Sequence, residues 1–232
     1  MKKKLYLLIL IIAIFISGCS GDRSGYIKYS YEFLGAFDTV VQFIGYAKTQ
    51  DEFEKMAEIV EKRFLELHKL YDIYNDYEGI NNVKTINDNA GIKPVEVSRE
   101  IIDLILFSKE WYNKTNKKCN IAMGAVLSIW HDYREEGIND PENAKVPPLD
   151  MLQEAYKHTD PEKVIVDGEK NTVYLEDKLM RLDVGAVAKG FASELVAKEL
   201  KEMGYTSFII SSGGNVRTVG KPMESSRNKW GI

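Results

Sequence analysis

With 232 residues, 44% of them hydrophobic and 11% aromatic, the chain has enough apolar material for a sizeable core, which argues against intrinsic disorder and fits one large domain or two small ones. Its 31 basic and 35 acidic residues give a formal net charge of −4, the wrong sign for a nucleic-acid partner. No internal repeat, low-complexity run or heptad series stands out.

The N-terminus opens with three lysines, then a twelve-residue apolar run over residues 5–16, then Ser17, Gly18 and Cys19. A run of that length is short for a bilayer span and reads as a secretory signal over residues 1–18. The small residues before Cys19 resemble a bacterial lipobox, whose cysteine is lipidated and becomes the new N-terminus. An uncleaved anchor with an incidental cysteine is the alternative. In both cases the domain is expected outside the cytoplasm, on the membrane, with residues 19–25 as lipidated cysteine and tether. Removing residues 1–18 leaves 28 basic against 35 acidic residues, a formal charge of −7. If Cys19 is acylated, Cys119 has no partner for a disulfide.

From residue 26 the pattern is that of a folded domain. Residues 31–47 alternate apolar and small residues as a strand does, with Phe33, Val41 and Phe43 on one face. Residues 51–70 place Phe53, Met56, Ala57, Val60, Phe64 and Leu67 at helical spacing, with Asp51 as the cap. A second helix follows Ser98, with Ile101, Leu104, Ile105 and Tyr112 on one face, and Pro147-Pro148 with Asp150 introduce a short third. Two β-rich runs flank Asp167-Gly168 and predict a hairpin. Residues 181–200 begin as a buried strand, pass through Gly185, and continue as a helix that Gly204 ends. "TSFIISSGGNV" then gives an apolar strand ending in Gly213-Gly214. Trp230-Gly231-Ile232 reads as the first residues of one more strand, so the chain is expected to be incomplete at its C-terminus. The order of elements indicates an α+β (mixed α/β) domain over residues 26–232.

The chemistry-bearing pattern is the pair of glycine junctions. Asp183 and Lys189 flank Gly185, and residues 211–214 close the next strand; two such backbone-rich turns facing one pocket suit a phosphate. The plainer alternative is a tight turn with Asp183 as its cap and Lys189 in solvent. "LYDIYNDYEGINNVKTIN" is either a stacking wall for an aromatic ligand or a polar loop with core tyrosines. Met123-Gly124 and Trp130 fit simple packing. His68, His131 and His158 lack metal-ligand spacing and read as structural or surface histidines, with His158 standing alone. No nucleophile-and-base signature is visible, so no catalytic residue is assigned.

Taken in order, "FLGAFDTVV", "YDIYNDYEGINNVKTIN", "CNIAMGAVLSIW", "LDVGAVAKGFA" and "FIISSGGNV" resemble the ApbE family of FAD:protein FMN transferases, many of which are bacterial lipoproteins. The resemblance implies an extended cleft that binds FAD, and transfer of its FMN half through a phosphoester to a threonine or serine of an acceptor protein, with AMP released. It implies FAD contacts from Phe37, Tyr74, Cys119, Asn120, Ile121, Asp183 and Lys189, with Tyr74 against the flavin ring. It implies Mg²⁺ held in part by the backbone carbonyl of Ala186. Family members often carry Met-Gly-Thr where this chain has Phe37-Asp38-Thr39, and aspartate where it has Asn120. The remaining metal ligands and a histidine linked to catalysis are implied beyond residue 232. The implied partner is an acceptor protein, with a subunit of a membrane redox complex as one candidate. Two other readings stay open: a non-catalytic flavin-binding lipoprotein and a solute-binding lipoprotein.

Overall fold

The alternating run at residues 31–47 folds as two strands instead of one. In the computed structural model, which describes residues 25–224 and 227–232, β1 (Ile27–Ala36) turns at Phe37-Asp38 and returns as β2 (Thr39–Ala47). Both turn residues have positive φ, 54° and 51°. Neither is glycine, so the sequence carries no ordinary hairpin signal there. The expected face is nonetheless correct: Phe33, Val41 and Phe43 are all buried. The leader, Cys19 and the tether up to residue 24 lie outside the described residues.

Helix α1 (Gln50–Tyr71) buries every apolar position read from its periodicity. Its cap is Thr49, whose hydroxyl accepts from the Glu52 N–H at 3.2 Å, while the Glu52 carboxylate takes the Lys48 N–H at 2.9 Å. Asp51 stands in the first turn, where its charge still suits the helix dipole. The helix packs on β1 and β2, where Phe43 and Phe53 stack at 5.4 Å.

Chain order continues with α2 (Val83–Asp88), β3 (Val95–Glu96), α3 (Arg99–Lys114), α4 (Gly124–Asn139), α5 (Leu149–Tyr156), β4 (Val164–Asp167), β5 (Thr172–Leu175), α6 (Gly185–Glu202), β6 (Phe208–Ser212) and β7 (Asn215–Val219). α2 and α4 have no counterpart in the sequence reading. The strands form two sheets, β1-β2-β6-β7 and β3-β5-β4, with every strand pair antiparallel. Ile101, Leu104 and Ile105 of α3 are fully buried, and Tyr112 is half-buried. The β4–β5 hairpin is present, but its loop is longer than Asp167-Gly168: Asp167 pairs with Thr172 and caps the turn by accepting from the Glu169 and Lys170 N–H groups.

α6 ends as expected. Gly204 takes φ 95°, Tyr205 N–H reaches the Leu200 carbonyl at 3.1 Å and Gly204 N–H the Lys201 carbonyl at 3.0 Å, a Schellman cap. Arg63 on α1 ties three helices together, through Glu100 at the start of α3 at 2.7 Å and Glu199 on α6 at 3.0 Å. Burial would lower its pKa, but these partners and Glu66 hold it well above the usual arginine value. Trp230-Gly231-Ile232 does not form a strand. Trp230 packs on Tyr46 with centroids 5.7 Å apart, and its indole N–H donates to the Gly220 carbonyl at 3.2 Å. Among the described residues no helix is long and apolar enough to cross a membrane.

Candidate functional site

The segment 181–183 is extended and buried at Leu182, as read, but it is not a strand: its one ladder contact among the described residues is a parallel bridge from Arg181 to Met123. Other groups hold it. The buried Asn87 side chain accepts the Leu182 N–H at 2.7 Å and donates to the Leu182 carbonyl at 3.0 Å. Asp183 N–H donates to the Ile121 carbonyl at 2.8 Å, and Gly124 N–H to the Arg181 carbonyl at 3.0 Å. A Cβ on Gly124 would lie 2.5 Å from that carbonyl oxygen, which is why α4 starts with glycine. The backbone between Arg181 and Asp183 is thus fixed before α6 begins.

Asp183 then turns the chain into α6 by accepting the Gly185 N–H at 2.9 Å. Beside this junction lies a cavity of about 270 Å³ lined by Phe37, Asp38, Tyr71, Asp72, Tyr74, Asp183 and Lys189, among others. Two neighbouring cavities of about 390 and 430 Å³ share Tyr74 and Asp183 with it and extend along α4 past Leu127 and His131. The first alone is small for a dinucleotide, since drug-sized ligands already need about 300–1,000 Å³. The three together make an extended cleft.

Of the residues expected to contact FAD, four converge here from three distant segments: Phe37, Tyr74, and the pair Asp183 and Lys189. Phe37 sits against His68, Phe64 and Tyr71, with its N–H donated to His68 Nδ1 at 3.3 Å. Lys189 Nζ has no hydrogen bond or ion pair among the described residues and is free to meet an anion. Cys119, Asn120 and Ile121 line none of these cavities. Asn120 joins loops, donating to the Thr159 carbonyl and accepting from the Ala122 N–H, both at 2.9 Å. Ile121 is 3% exposed and acts through its carbonyl on Asp183. The second glycine junction is also elsewhere: residues 211–214 do not line the cavity, and Gly213 packs on Thr39.

Ala186 is exposed on the first turn of α6, where a regular helix already engages its carbonyl with the N–H four residues on. Among the described residues no group of three or more His, Cys, Asp or Glu side chains is arranged to hold a metal. Mg²⁺ needs near-octahedral oxygen coordination, and one helical carbonyl does not provide it. The donors among the described residues therefore do not by themselves make up a Mg²⁺ site.

The loop after α1 divides its tyrosines. Tyr71 is core at 3% exposure and Tyr74 stands at the cleft at 55%. Asp72 organises the turn between them: Oδ1 accepts the Tyr74 N–H at 2.7 Å and Oδ2 the Tyr77 hydroxyl at 2.7 Å. Burial raises the Asp72 pKa, yet hydrogen bonds from Asn75, Tyr74 and Tyr77 outweigh it and leave the carboxyl below its usual value. Burial, then the Asp72 hydrogen bond, push Tyr77 up to about 12. Burial and the Asp183 charge raise Tyr74, which stays a neutral phenol at pH 7.

Sequence reasoning missed Asp38, Asp72 and His131 at the cleft, and Trp130 is not simple packing: it is 44% exposed and lines the outer cavity with Tyr74, Arg134 and Lys145. His158 does not stand alone; its Nδ1 lies 2.8 Å from Asp177, beside a further groove under α5.

The family model for ApbE matches residues 37–232. The chain is similar to the FAD:protein FMN transferase of Klebsiella pneumoniae, 31% identical over 165 residues, covering 71% of this chain and 50% of that protein. It is similar to the protein of the same name from Treponema pallidum, 31% identical over 158 residues, covering 63% and 42%. The chain thus spans about half the length of these relatives. In three dimensions it resembles the crystal structure of the ApbE protein of Thermotoga maritima with a TM-score of 0.68 at 23% identity, covering 84% of this chain and 60% of that one, a likeness of fold. A cleft assembled from the segments that carry the family pattern, together with a family match over most of its length, makes this chain a member of the ApbE family.

Proposed function

We propose that this chain is the FAD-binding part of an FAD:protein FMN transferase. The observation that carries the reading is the convergence of Phe37, Tyr74, Asp183 and Lys189 on one cleft. Tyr74 offers a ring face for the isoalloxazine. Lys189, without an ion pair among the described residues and in the N-terminal part of α6, offsets pyrophosphate charge, and the helix N-terminus adds to it. Asp183 fixes the turn with one oxygen on Gly185 and keeps the other for a ligand hydroxyl or N–H. In the proposed transfer the hydroxyl oxygen of an acceptor threonine or serine attacks the FMN phosphorus. The bond to the bridging oxygen breaks, AMP leaves with that oxygen, and the hydroxyl proton passes to solvent or a base. Mg²⁺ dependence enters the proposal through the family likeness alone, and no step here is assigned to the ion.

Lys189→Ala is expected to weaken FAD binding by about 1–3 kcal/mol, the range for a charged hydrogen bond, while the exposed control Lys198→Ala leaves it unchanged. Calorimetric titration checks this; equal affinities in both variants would remove Lys189 from the site. Incubation with FAD, Mg²⁺ and a candidate acceptor, read by in-gel flavin fluorescence and AMP release, checks the transfer. Flavin retained without transfer would favour a non-catalytic flavin-binding lipoprotein, and no flavin retention a solute-binding one.

We also propose a lipid anchor at Cys19 on the extracytoplasmic face of the membrane, motivated by Ser17-Gly18-Cys19 after the apolar run. Cys19→Ala should release the protein from the membrane fraction or block its processing. A processed, membrane-bound variant would contradict the anchor.

A further inference from the structure

Phe37 is wedged among Phe64, His68 and Tyr71, but Tyr74 stands in the open. An exposed ring that must stack on a ligand loses rotamer freedom when the ligand arrives, and that loss weakens binding unless something orders the ring beforehand. The backbone of Tyr74 is ordered by Asp72. Its ring is met by His131 of α4, with centroids 5.0 Å apart and planes inclined by 30°.

Tyr74 lines the Phe37–Lys189 cavity as well as both cavities along α4, whereas His131 lines only the latter two. The imidazole therefore stands behind Tyr74 as seen from Phe37 and Lys189. His131 is itself held: Arg134 Nη2 lies 3.0 Å from His131 Nδ1. A guanidinium only donates, so in this contact Nδ1 is the acceptor. Arg134 is in turn steadied by Glu135 at 3.0 Å.

We propose that His131 is a positioning residue of the flavin site, backing Tyr74 so that its ring is ordered before the isoalloxazine stacks on it. The inference rests on the flavin-binding reading above. In this proposal His131 acts through Tyr74.

The test is FAD titration by flavin fluorescence on the full-length protein and on four variants: His131→Ala, His131→Phe, Tyr74→Ala and the double variant His131→Ala/Tyr74→Ala. His131→Ala should weaken FAD binding about fivefold or more and leave the bound flavin less quenched, because the stacked geometry is less populated. His131→Phe keeps the ring and should restore affinity to within about twofold. In the Tyr74→Ala background, His131→Ala should change affinity by less than about 1.5-fold, the non-additivity expected of residues that act as a unit. Unchanged affinity in His131→Ala, failure of phenylalanine to rescue, or an equal loss in the Tyr74→Ala background would each overturn the inference while leaving the flavin site intact. A wild-type protein that binds no FAD would overturn the flavin reading and this inference with it.

Discussion

Two hairpin turns stand side by side at one end of the four-stranded sheet and meet the same backbone requirement with opposite side chains. The β1–β2 turn is Phe37-Asp38, with φ of 54° and 51°; the β6–β7 turn is Gly213-Gly214, with φ of 52° and 87°. Positive φ at both central residues gives the twist that antiparallel strands prefer, and glycine adopts it freely. For other residues it costs roughly 1–2 kcal/mol each, and a bulky ring there is rare. The glycine turn presses on its neighbour: Gly213 N–H donates to the Val40 carbonyl at 3.2 Å, and a Cβ would lie 2.6 Å from Thr39 Oγ1. The Phe37-Asp38 turn instead places both side chains at the cleft. At this end of the sheet, left-handed backbone carries side chains where the turn borders the cleft and carries none where the turn only has to close.

The largest effect should come from giving the glycine turn a side chain. Gly213→Val adds left-handed strain and overlap with Thr39, for an expected loss of about 2–5 kcal/mol in urea unfolding. Gly213→Ala combined with Thr39→Ala should recover part of it by removing the overlap. A loss below about 1 kcal/mol in the valine variant would show that the two turns can separate at little cost, and that the glycine is not required by the close approach.

A third bend at the cleft, between α1 and Tyr74, uses neither strain nor glycine: the Asp72 carboxylate holds it. Asp72→Ala should cost about 1–3 kcal/mol at pH 7, since Tyr77 and Asn75 lose a charged acceptor. The folded pKa of Asp72 is depressed, so its contribution is present above the ordinary carboxylate value of about 4 and is lost as pH falls through the lower folded value. The stability gap between wild type and Asp72→Ala should therefore narrow below about pH 4. A gap of equal size at pH 3 and pH 7 would mean that the charge is not what holds the bend.

The same contrast explains what could be read from the sequence. Periodicity found α1 because Phe53, Met56, Val60, Phe64 and Leu67 face one sheet, and it found the buried face of β1 and β2. It missed the turn between those strands because Phe-Asp is not a common turn pair, and both side chains border the cleft. It missed α4 because Leu127, Trp130 and Ile138 are exposed and leave the helix without a clean apolar stripe. Asp183 and Lys189 drew notice by their spacing, but Phe37 and Tyr74 came from resemblance to a family. The Tyr74–His131 contact joins positions far apart in sequence, and nothing local in either segment announces it.

The smallest effect sharpens the comparison most, because its sign decides it. Asp38→Gly keeps a residue that adopts φ near 51° without strain, so the hairpin and the seat of Phe37 against Phe64 and Tyr71 should persist. Relief of the left-handed backbone favours the variant, while the extra freedom of glycine in the unfolded chain opposes it. The net expectation is a gain of about 0.5–1 kcal/mol, measured by urea unfolding. A gain means that aspartate at this turn is held against stability, as expected of a side chain kept for the cleft. A loss would mean that the Asp38 carboxylate stabilises the turn by more than its backbone costs, and the contrast with Gly213-Gly214 would then be one of two stable solutions, with no strain reserved for the site.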